Sequence, residues 1–382
     1  MNVPKLRFKE FNDEWIAYKF YDLVSIINGQ VDPNKKEYCN LPHIGPGNIE
    51  KETGRLLEYN LAKDDKLISS KYLFNEKSVI YGKINPHFAK VCYPKFVGLC
   101  SADAYPINPI EEKLTSTFLL YLLLNPKFTK FATSVSMRTG MPKINRDELG
   151  IYKFTIPKIN EQIKIGKTLE LLDKKIELQS KKIEDLKLFK LYTKNQIFND
   201  YDKVFKLKDI LVKWNKKNKN NSVKYVESIS NKYGFISQSD QFEDRNVASK
   251  NLNNYYIIEK GVFGYNPSRL NVGSLALKTN DKISVVSPLY ECFTTSQNNQ
   301  YLLEWFDSKY FRKETISRFE GGVRNTLNFS NLCEIEIRLP IIEKQNKYSN
   351  IFRMFNNKIE LEVKKLYKLQ ELKKGLMQNM FV

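Results

Sequence analysis

Histidine and closely spaced cysteine are scarce in this sequence, and their scarcity excludes several kinds of chemistry. The 382 residues include only two histidines, His43 and His87, too few for a site that needs several imidazole groups. The five cysteines form no C-x-x-C pair, which argues against a zinc site and a disulfide framework and favours a reducing compartment. The longest apolar run, 118–124, is too short to span a bilayer. The N-terminus lacks the apolar segment of a signal peptide, so we expect a cytoplasmic protein.

Acidic residues are outnumbered by basic ones. There are 62 Lys and Arg against 43 Asp and Glu, which gives a formal net charge of +19 and a pI near 9.4. A protein this basic usually contacts a polyanion, and nucleic acid is the first candidate, although the excess of lysine can also serve solubility alone. The length predicts two to three domains.

A long-range internal repeat organises the chain. Residues 157–198 align without a gap on residues 340–381, at an offset of 183, and thirteen of the 42 pairs are identical. The register continues upstream, where Ile144 matches Leu327 and Leu149 matches Leu332. With small gaps, the Asn-Pro pair at 85–86 also matches the pair at 266–267. The sequence therefore predicts two copies of one unit, a globular part followed by a long helix.

Both predicted helices carry apolar residues at the a and d positions of a heptad. A sustained a/d pattern with Lys and Glu elsewhere is typical of a coiled coil, and two such helices in one chain can bury their stripes against each other. The alternative is that each helix packs only on its own domain. We call these ten positions the seam: Leu169, Leu172, Ile176, Ile183, Leu186, Phe352, Phe355, Ile359, Leu366 and Leu369.

Short β-branched and aromatic runs in the globular parts predict strands, and Ser116–Leu124 and Tyr301–Phe306 predict helices. The fold class expected is α/β (α+β), with two tandem domains, each followed by a long helix. We further expect the two helices to form an antiparallel coiled coil and the halves to be related by a pseudo-two-fold axis.

These features together resemble a known family. The opening segment PKLRFKEFNDEW, the tandem units and the Lys-rich helix after each unit resemble the DNA-specificity subunit of type I restriction–modification systems. The resemblance implies target-recognition domains at 1–156 and 200–339, and spacer and dimerisation helices at 157–199 and 340–382.

The resemblance also implies partners. Each target-recognition domain would read one half of a bipartite, asymmetric site in double-stranded DNA. The helices would dock two modification (methyltransferase) subunits, which restriction subunits can join. S-adenosylmethionine, and ATP with Mg where a restriction subunit is present, are expected on those partners. No catalytic residue, cofactor or metal ion is expected on this chain.

Two matched loops, 136–145 and 319–328, carry basic and small residues before a strand. Glycine allows close approach of the backbone, Arg can pair with guanine, and Asn can pair with adenine. Each loop can also be an ordinary turn, and His87 can be a structural histidine. With the residues around the Asn-Pro turns, the predicted DNA contacts are Lys83, Asn85, His87, Arg138, Lys143, Asn145, Asn266, Ser268, Arg269, Arg324, Asn325 and Asn328.

Two rival functions remain open. A self-sufficient DNA adenine methyltransferase is suggested by Asn85-Pro86-His87-Phe88, which partly matches the N-P-P-F/Y signature of that class. The repeat partner, Asn266-Pro267-Ser268-Arg269, lacks the aromatic residue, and no Gly-rich turn is suited to the methyl donor. A coiled-coil scaffold with no role on DNA is the third possibility.

Overall fold

The computed structural model describes residues 3–137, 140–230, 233–238, 251–316 and 326–382. The chain divides into two compact units. Unit 1 comprises Met1–Lys181 and Val363–Val382, and unit 2 comprises Lys182–Glu362. Each unit therefore contains one globular part, a stretch of the first long helix and a stretch of the second.

Among its described residues, unit 1 contains nine short strands and three α-helices of its own, together with part of each long helix. The first long helix, α4, continues from unit 1 into unit 2. The elements are β1 (Ile16–Lys19), β2 (Val24–Ile26), β3 (His43–Ile44), β4 (Tyr72–Phe74), β5 (Val79–Gly82), β6 (Val91–Cys92), β7 (Gly98–Cys100), β8 (Ala104–Pro109), α1 (Ser116–Leu124), α2 (Pro126–Ser136), α3 (Arg146–Ile151), β9 (Lys153–Ile156) and α4 (Ile159–Ile197).

Unit 2 repeats this order of elements after α4. The second long helix, α8, begins in unit 2 and ends in unit 1. The described elements are β10 (Lys203–Lys206), β11 (Leu211–Lys213), β12 (Glu227–Ser230), β13 (Gly234–Ser237), β14 (Tyr256–Ile258), β15 (Phe263–Tyr265), β16 (Leu275–Leu277), β17 (Ser284–Val286), β18 (Glu291–Thr295), α5 (Asn299–Phe306), α6 (Lys309–Ile316), α7 (Phe329–Cys333), β19 (Glu336–Leu339) and α8 (Ile342–Asn379). No described helix is both long and apolar enough to cross a membrane.

The main sheets of the two units have the same topology. Unit 1 has a four-stranded antiparallel sheet in the order β2-β8-β5-β6, and unit 2 has the order β11-β18-β15-β16. A separate antiparallel pair leads into each long helix, β1-β9 in unit 1 and β10-β19 in unit 2. The smaller sheets differ, because unit 1 has β3-β7-β4 and unit 2 has the pairs β12-β13 and β14-β17. The prediction of a repeated α/β unit followed by a long helix is confirmed.

The first turn of each long helix contains a buried glutamine that bonds the helix to its unit. The Gln162 side chain accepts a hydrogen bond from the backbone N–H of Thr115 (3.1 Å) and donates to the Pro157 carbonyl (2.8 Å). Gln345 makes the same two contacts in unit 2, with Asn298 (3.1 Å) and Pro340 (2.9 Å). All six residues are related by the offset of 183. The repeat seen in the sequence is therefore a repeat of contacts.

Helix residues complete the core of each unit. In unit 1, Phe381 from the chain end stacks on Phe118 of α1, with ring centroids 5.2 Å apart. In unit 2, Phe198 packs edge-on against Tyr301 of α5 at 5.5 Å. Phe198 matches Phe381, and Phe118 matches Tyr301, at the same offset. Each domain core therefore closes on an aromatic residue from the end of a long helix.

The seam residues lie on the covered side of the helices. All ten are buried or half-buried, whereas other helix leucines such as Leu178 and Leu188 are 59% exposed. In unit 2 the helices run antiparallel, since Lys182 bonds to Glu362 (3.1 Å) and Lys190 bonds to Asn356 (2.8 Å). Leu169 and Phe352 also belong to the domain cores, so the ends of the seam pack on the globular parts.

Replacing Gln162 by Leu should destabilise the protein. The change leaves a buried N–H and two carbonyl groups without their partner, a loss worth about 1–3 kcal/mol for each buried group left unsatisfied. Thermal unfolding should show a lower Tm. The control is Gln196→Leu on the same helix at an exposed position, which should leave the Tm nearly unchanged. Equal effects of the two changes would contradict the role given to Gln162.

Replacing Leu186 by Asp should weaken the helix pair. Leu186 is half-buried in the seam, and an unpaired carboxylate there should cost about 1–3 kcal/mol. Leu188→Asp, two residues along at an exposed position, is the matched control. We expect Leu186→Asp to lower the Tm and Leu188→Asp to leave it nearly unchanged. An unchanged Tm would show that Leu186 is not part of a packed seam.

Candidate nucleic-acid interface

In unit 1 the structure brings together two of the predicted contact segments. The Asn85 backbone N–H donates to the Pro142 carbonyl (2.9 Å), and the Ile144 N–H donates to the Lys83 carbonyl (3.1 Å). Lys83 and Asn85 on one loop therefore lie beside Lys143 on the other. Sequence separation gave no indication of this pairing, because it joins segments about sixty residues apart.

The Asn-Pro turn has an unusual backbone that suits its residues. Asn85 has φ 50° and ψ 62°, the left-handed region that asparagine tolerates better than most residues, and Pro86 follows at the first position of a short 3-10 helix, Pro86–Phe88. His87 is exposed, and its ring centroid lies 4.1 Å from that of Phe88. The Lys51 ammonium lies 3.6 Å from the Phe88 centroid, so this turn carries positive charge from a third loop.

A basic cluster, which we define as Lys83, Lys143 and Arg146, surrounds the turn. The Lys83 ammonium and the Arg146 guanidinium lie 5.3 and 5.2 Å from the centre of the Tyr105 ring. Burial, and then the positive charge of Lys143, lower the pKa of Lys83; Arg146 acts in the same direction and Asp103 opposes it. Lys143 is exposed, and Lys83 and Arg146 are half-buried. The cluster is an anion-attracting surface at the loops predicted to contact DNA.

Asn145 has a structural role that the prediction of a DNA contact did not include. Its side-chain oxygen accepts from the Glu148 N–H (2.8 Å), and the Glu148 carboxylate accepts from the Asn145 N–H (2.7 Å). This capping box starts α3, as the spacing N-x-x-E favours. The amide oxygen of Asn145 is thus occupied by the helix, and its amide nitrogen is the group with donors for a ligand.

Unit 2 brings the matched segments together through a different backbone hydrogen bond. The Leu327 N–H donates to the Pro267 carbonyl (3.1 Å), which joins the Asn-Pro turn to the start of α7. Asn266 caps the 3-10 helix that follows it, and Asn328 caps α7. Ser268 and Arg269 are exposed on the turn. The predicted contacts Arg138, Arg324 and Asn325 lie outside the described residues.

Arg146 and Lys51 were missed by reasoning from the sequence. Arg146 is the first residue of α3, and its guanidinium turns back to donate to the carbonyls of Ile26 (3.3 Å) and Ile27 (2.9 Å). Lys51 reaches the Phe88 ring from a loop that carries no recognisable sequence motif, so nothing in the sequence pointed to it. The one feature of the sequence that could have pointed to Arg146 is its position next to the predicted contact Asn145.

The described residues offer little support for a methyltransferase site. The Phe88 ring, which would have to stack on a target base, already contacts Lys51 and His87. Among the residues described, no group of three or more His, Cys, Asp and Glu side chains is arranged to hold a metal ion.

Comparison with known proteins finds a similarity to one family. Residues 12–188 match the family model described as the type I restriction modification DNA specificity domain. The EcoDI specificity subunit of Escherichia coli is 34% identical over 160 residues, which cover 42% of this chain and 35% of that relative. The MjaVIII specificity subunit of Methanocaldococcus jannaschii is 21% identical, over 97% of this chain and 94% of that relative.

Solved structures extend the likeness to the whole fold. The S subunit of a type I restriction–modification system from M. genitalium superposes with a TM-score of 0.63 at 16% identity, covering 100% of this chain and 99% of that chain. A chain from a structural study of type I R-M complex assembly and conformational transition gives 0.58 at 14% identity, covering 97% and 98%. Residues 12–188 therefore resemble the type I specificity domain, and the solved structures show that the fold is shared over nearly the whole chain.

Two substitutions at Asn145 separate its cap from any contact with DNA. Asn145→Ala should lower the free energy of unfolding by about 1 kcal/mol, since the cap is lost. Asn145→Asp keeps a good capping oxygen but removes the amide donors, so it should leave the Tm unchanged and weaken DNA binding. Chemical denaturation and fluorescence anisotropy with duplex DNA measure the two effects. DNA affinity that is unchanged in Asn145→Asp would limit Asn145 to its structural role.

Proposed function

We propose that this chain is the DNA-recognition subunit of a type I restriction–modification complex and reads a bipartite site in double-stranded DNA. One observation carries the proposal. In each unit, an Asn-Pro turn is hydrogen-bonded to the segment that leads into an asparagine-capped helix, through Ile144 to Lys83 in unit 1 and Leu327 to Pro267 in unit 2. Two similar surfaces with different side chains suit two half-sites with different sequences.

The chemistry of these loops fits a DNA ligand. Asparagine amides and arginine can pair with base edges in the major groove, and lysines neutralise backbone phosphates. The turns are held by backbone hydrogen bonds to the rest of each unit, so their side chains are presented without a large ordering cost. Under this proposal residues 1–156 and 200–339 are the target-recognition domains, and the net charge of +19 draws the chain to DNA.

The long helices supply the surface for partner subunits under this proposal. Beyond the seam they expose large apolar side chains, which are unusual in water and typical of protein interfaces. We assign two modification subunits to these helices, with restriction subunits able to join them. The exposed apolar residues include Leu171, Leu178, Leu188, Leu191, Tyr192, Met354, Leu361, Val363, Tyr367 and Leu372.

Catalysis is assigned to the partners. The modification subunits would hold S-adenosylmethionine, and restriction subunits would use ATP and Mg. The chain itself would act in the cytoplasm by choosing the DNA site at which that chemistry takes place. A self-sufficient methyltransferase would instead have to bind the methyl donor unaided.

The test is methylome sequencing of cells with and without this gene. We expect loss of the gene to abolish methylation at one bipartite motif. In cells that carry the double substitution Ser268→Ala and Arg269→Ala, any change of motif should be confined to one half-site. The matched unit 1 change His87→Ala should affect only the other half. An unchanged methylome on deletion, or methyl-donor binding by the purified chain alone, would contradict the proposal.

A further inference from the structure

One position in the repeated fold holds different chemistry in the two units. Asn145 and Asn328 cap the equivalent helices α3 and α7, and the next residues are Arg146 and Phe329. The neighbouring strands β8 and β18 are central in equivalent sheets. Tyr105 in β8 lies opposite Tyr81, and Glu291 in β18 lies opposite Tyr265.

A third pair of corresponding residues lies on the edge strands of the two sheets. The edge strands β2 and β11 each have three residues, and their last residues are Ile26 and Lys213. Arg146, Tyr105 and Ile26 in unit 1 therefore correspond to Phe329, Glu291 and Lys213 in unit 2.

In unit 1 this place is positive on balance, with three cations against the one carboxylate of Asp103 that acts on Lys83. The Arg146 guanidinium lies over Tyr105 and is held by the carbonyls of Ile26 and Ile27. Lys83 approaches the same Tyr105 ring, and Lys143 is close enough for its charge to lower the pKa of Lys83. A bound anion would relieve the mutual repulsion among the three cations. Without an anion, the face of the Tyr105 ring stabilises Lys83 and Arg146 by cation–π interaction.

In unit 2 the same place is neutralised by the protein. The Lys213 ammonium lies 3.1 Å from the Glu291 carboxylate, and it is 5.5 Å from the centre of the Phe329 ring. In unit 1 the cation is on the helix (Arg146) and the aromatic ring is on a strand (Tyr105). In unit 2 the cation is on a strand (Lys213) and the ring is on the helix, and Glu291 adds a carboxylate. An ion pair of this kind gains little from a phosphate, because Glu291 would repel it.

We propose that the two units bind DNA with different chemistry at this equivalent position: Lys83, Lys143 and Arg146 of unit 1 seat a backbone phosphate, whereas Lys213 and Glu291 of unit 2 do not. The inference rests on the proposed function and goes beyond it by assigning phosphate binding here to one unit. It predicts that the salt dependence of DNA binding depends on the unit 1 cluster and not on Lys213.

Salt-dependent affinity is the direct measurement. Each lost phosphate contact lowers the slope of log affinity against log salt concentration by about 0.9 on duplex DNA. For the full chain on a labelled duplex, Lys83→Gln with Lys143→Gln should reduce the slope by at least this amount. Lys213→Gln should leave the slope unchanged. Glu291→Gln, which frees the Lys213 charge, should increase the slope by up to about 0.9.

Two controls keep the result interpretable. The conservative double change Lys83→Arg with Lys143→Arg should preserve the slope, and melting curves should show that every variant is folded. An unchanged slope in the glutamine double variant, or an equal loss in Lys213→Gln, would overturn the inference while leaving DNA recognition intact. Wild-type protein that binds DNA without salt dependence would instead defeat the proposed function.

Discussion

The fold depends on burying the ends of two long helices in two separate domain cores. Phe381 against Phe118 and Phe198 against Tyr301 join equivalent positions in the two units, with the rings stacked in unit 1 and edge-on in unit 2. Unit 1 is consequently built from both termini of the sequence, and the Leu6 N–H bonds to the Asn379 carbonyl at 2.8 Å. Contacts between residues so far apart in sequence slow folding, because the entropy of closing a long loop is lost before the contacts that stabilise the fold can form.

Matched positions conserve geometry while they exchange chemistry. In unit 1, Asp173 bonds to Tyr121 (2.9 Å) and pairs with Lys373 (2.6 Å). The equivalents in unit 2 are Asn356, Glu304 and Lys190, with Asn356 bonded to Glu304 (3.1 Å) and to Lys190 (2.8 Å). The acidic group has moved from the long helix to the domain. Because each trio keeps a hydrogen bond between a long helix and the domain, the helix can keep its place beside the domain in both units.

The charge exchange recurs where the helices begin. Arg7 bonds to Glu161 of α4 at 2.8 Å, and in unit 2 Lys344 of α8 bonds to Asp200 at 3.0 Å, with the signs reversed. Such reversals show how two copies of one unit diverge without losing the fold. The loops carry the same freedom further, since in each unit a backbone hydrogen bond joins the region of the Asn-Pro turn to the segment before the capped helix, while the bonded residues and the adjacent side chains differ. A scaffold of this kind suits two recognition surfaces that need different specificities.

Periodic and repeated features could be predicted from the sequence alone. The offset of 183 and the a/d stripe specify two α/β units with a long helix after each, because repeats and local periodicity reveal duplicated units and buried helix faces. The tertiary structure decided which loops meet, since the pairing of Ile144 with Lys83 joins distant segments. It also decided that Arg146 turns back over Tyr105 and that Lys213 is matched by Glu291. Which charged side chains lie next to each other depends on how the chain folds in three dimensions, and no spacing in the sequence encodes it.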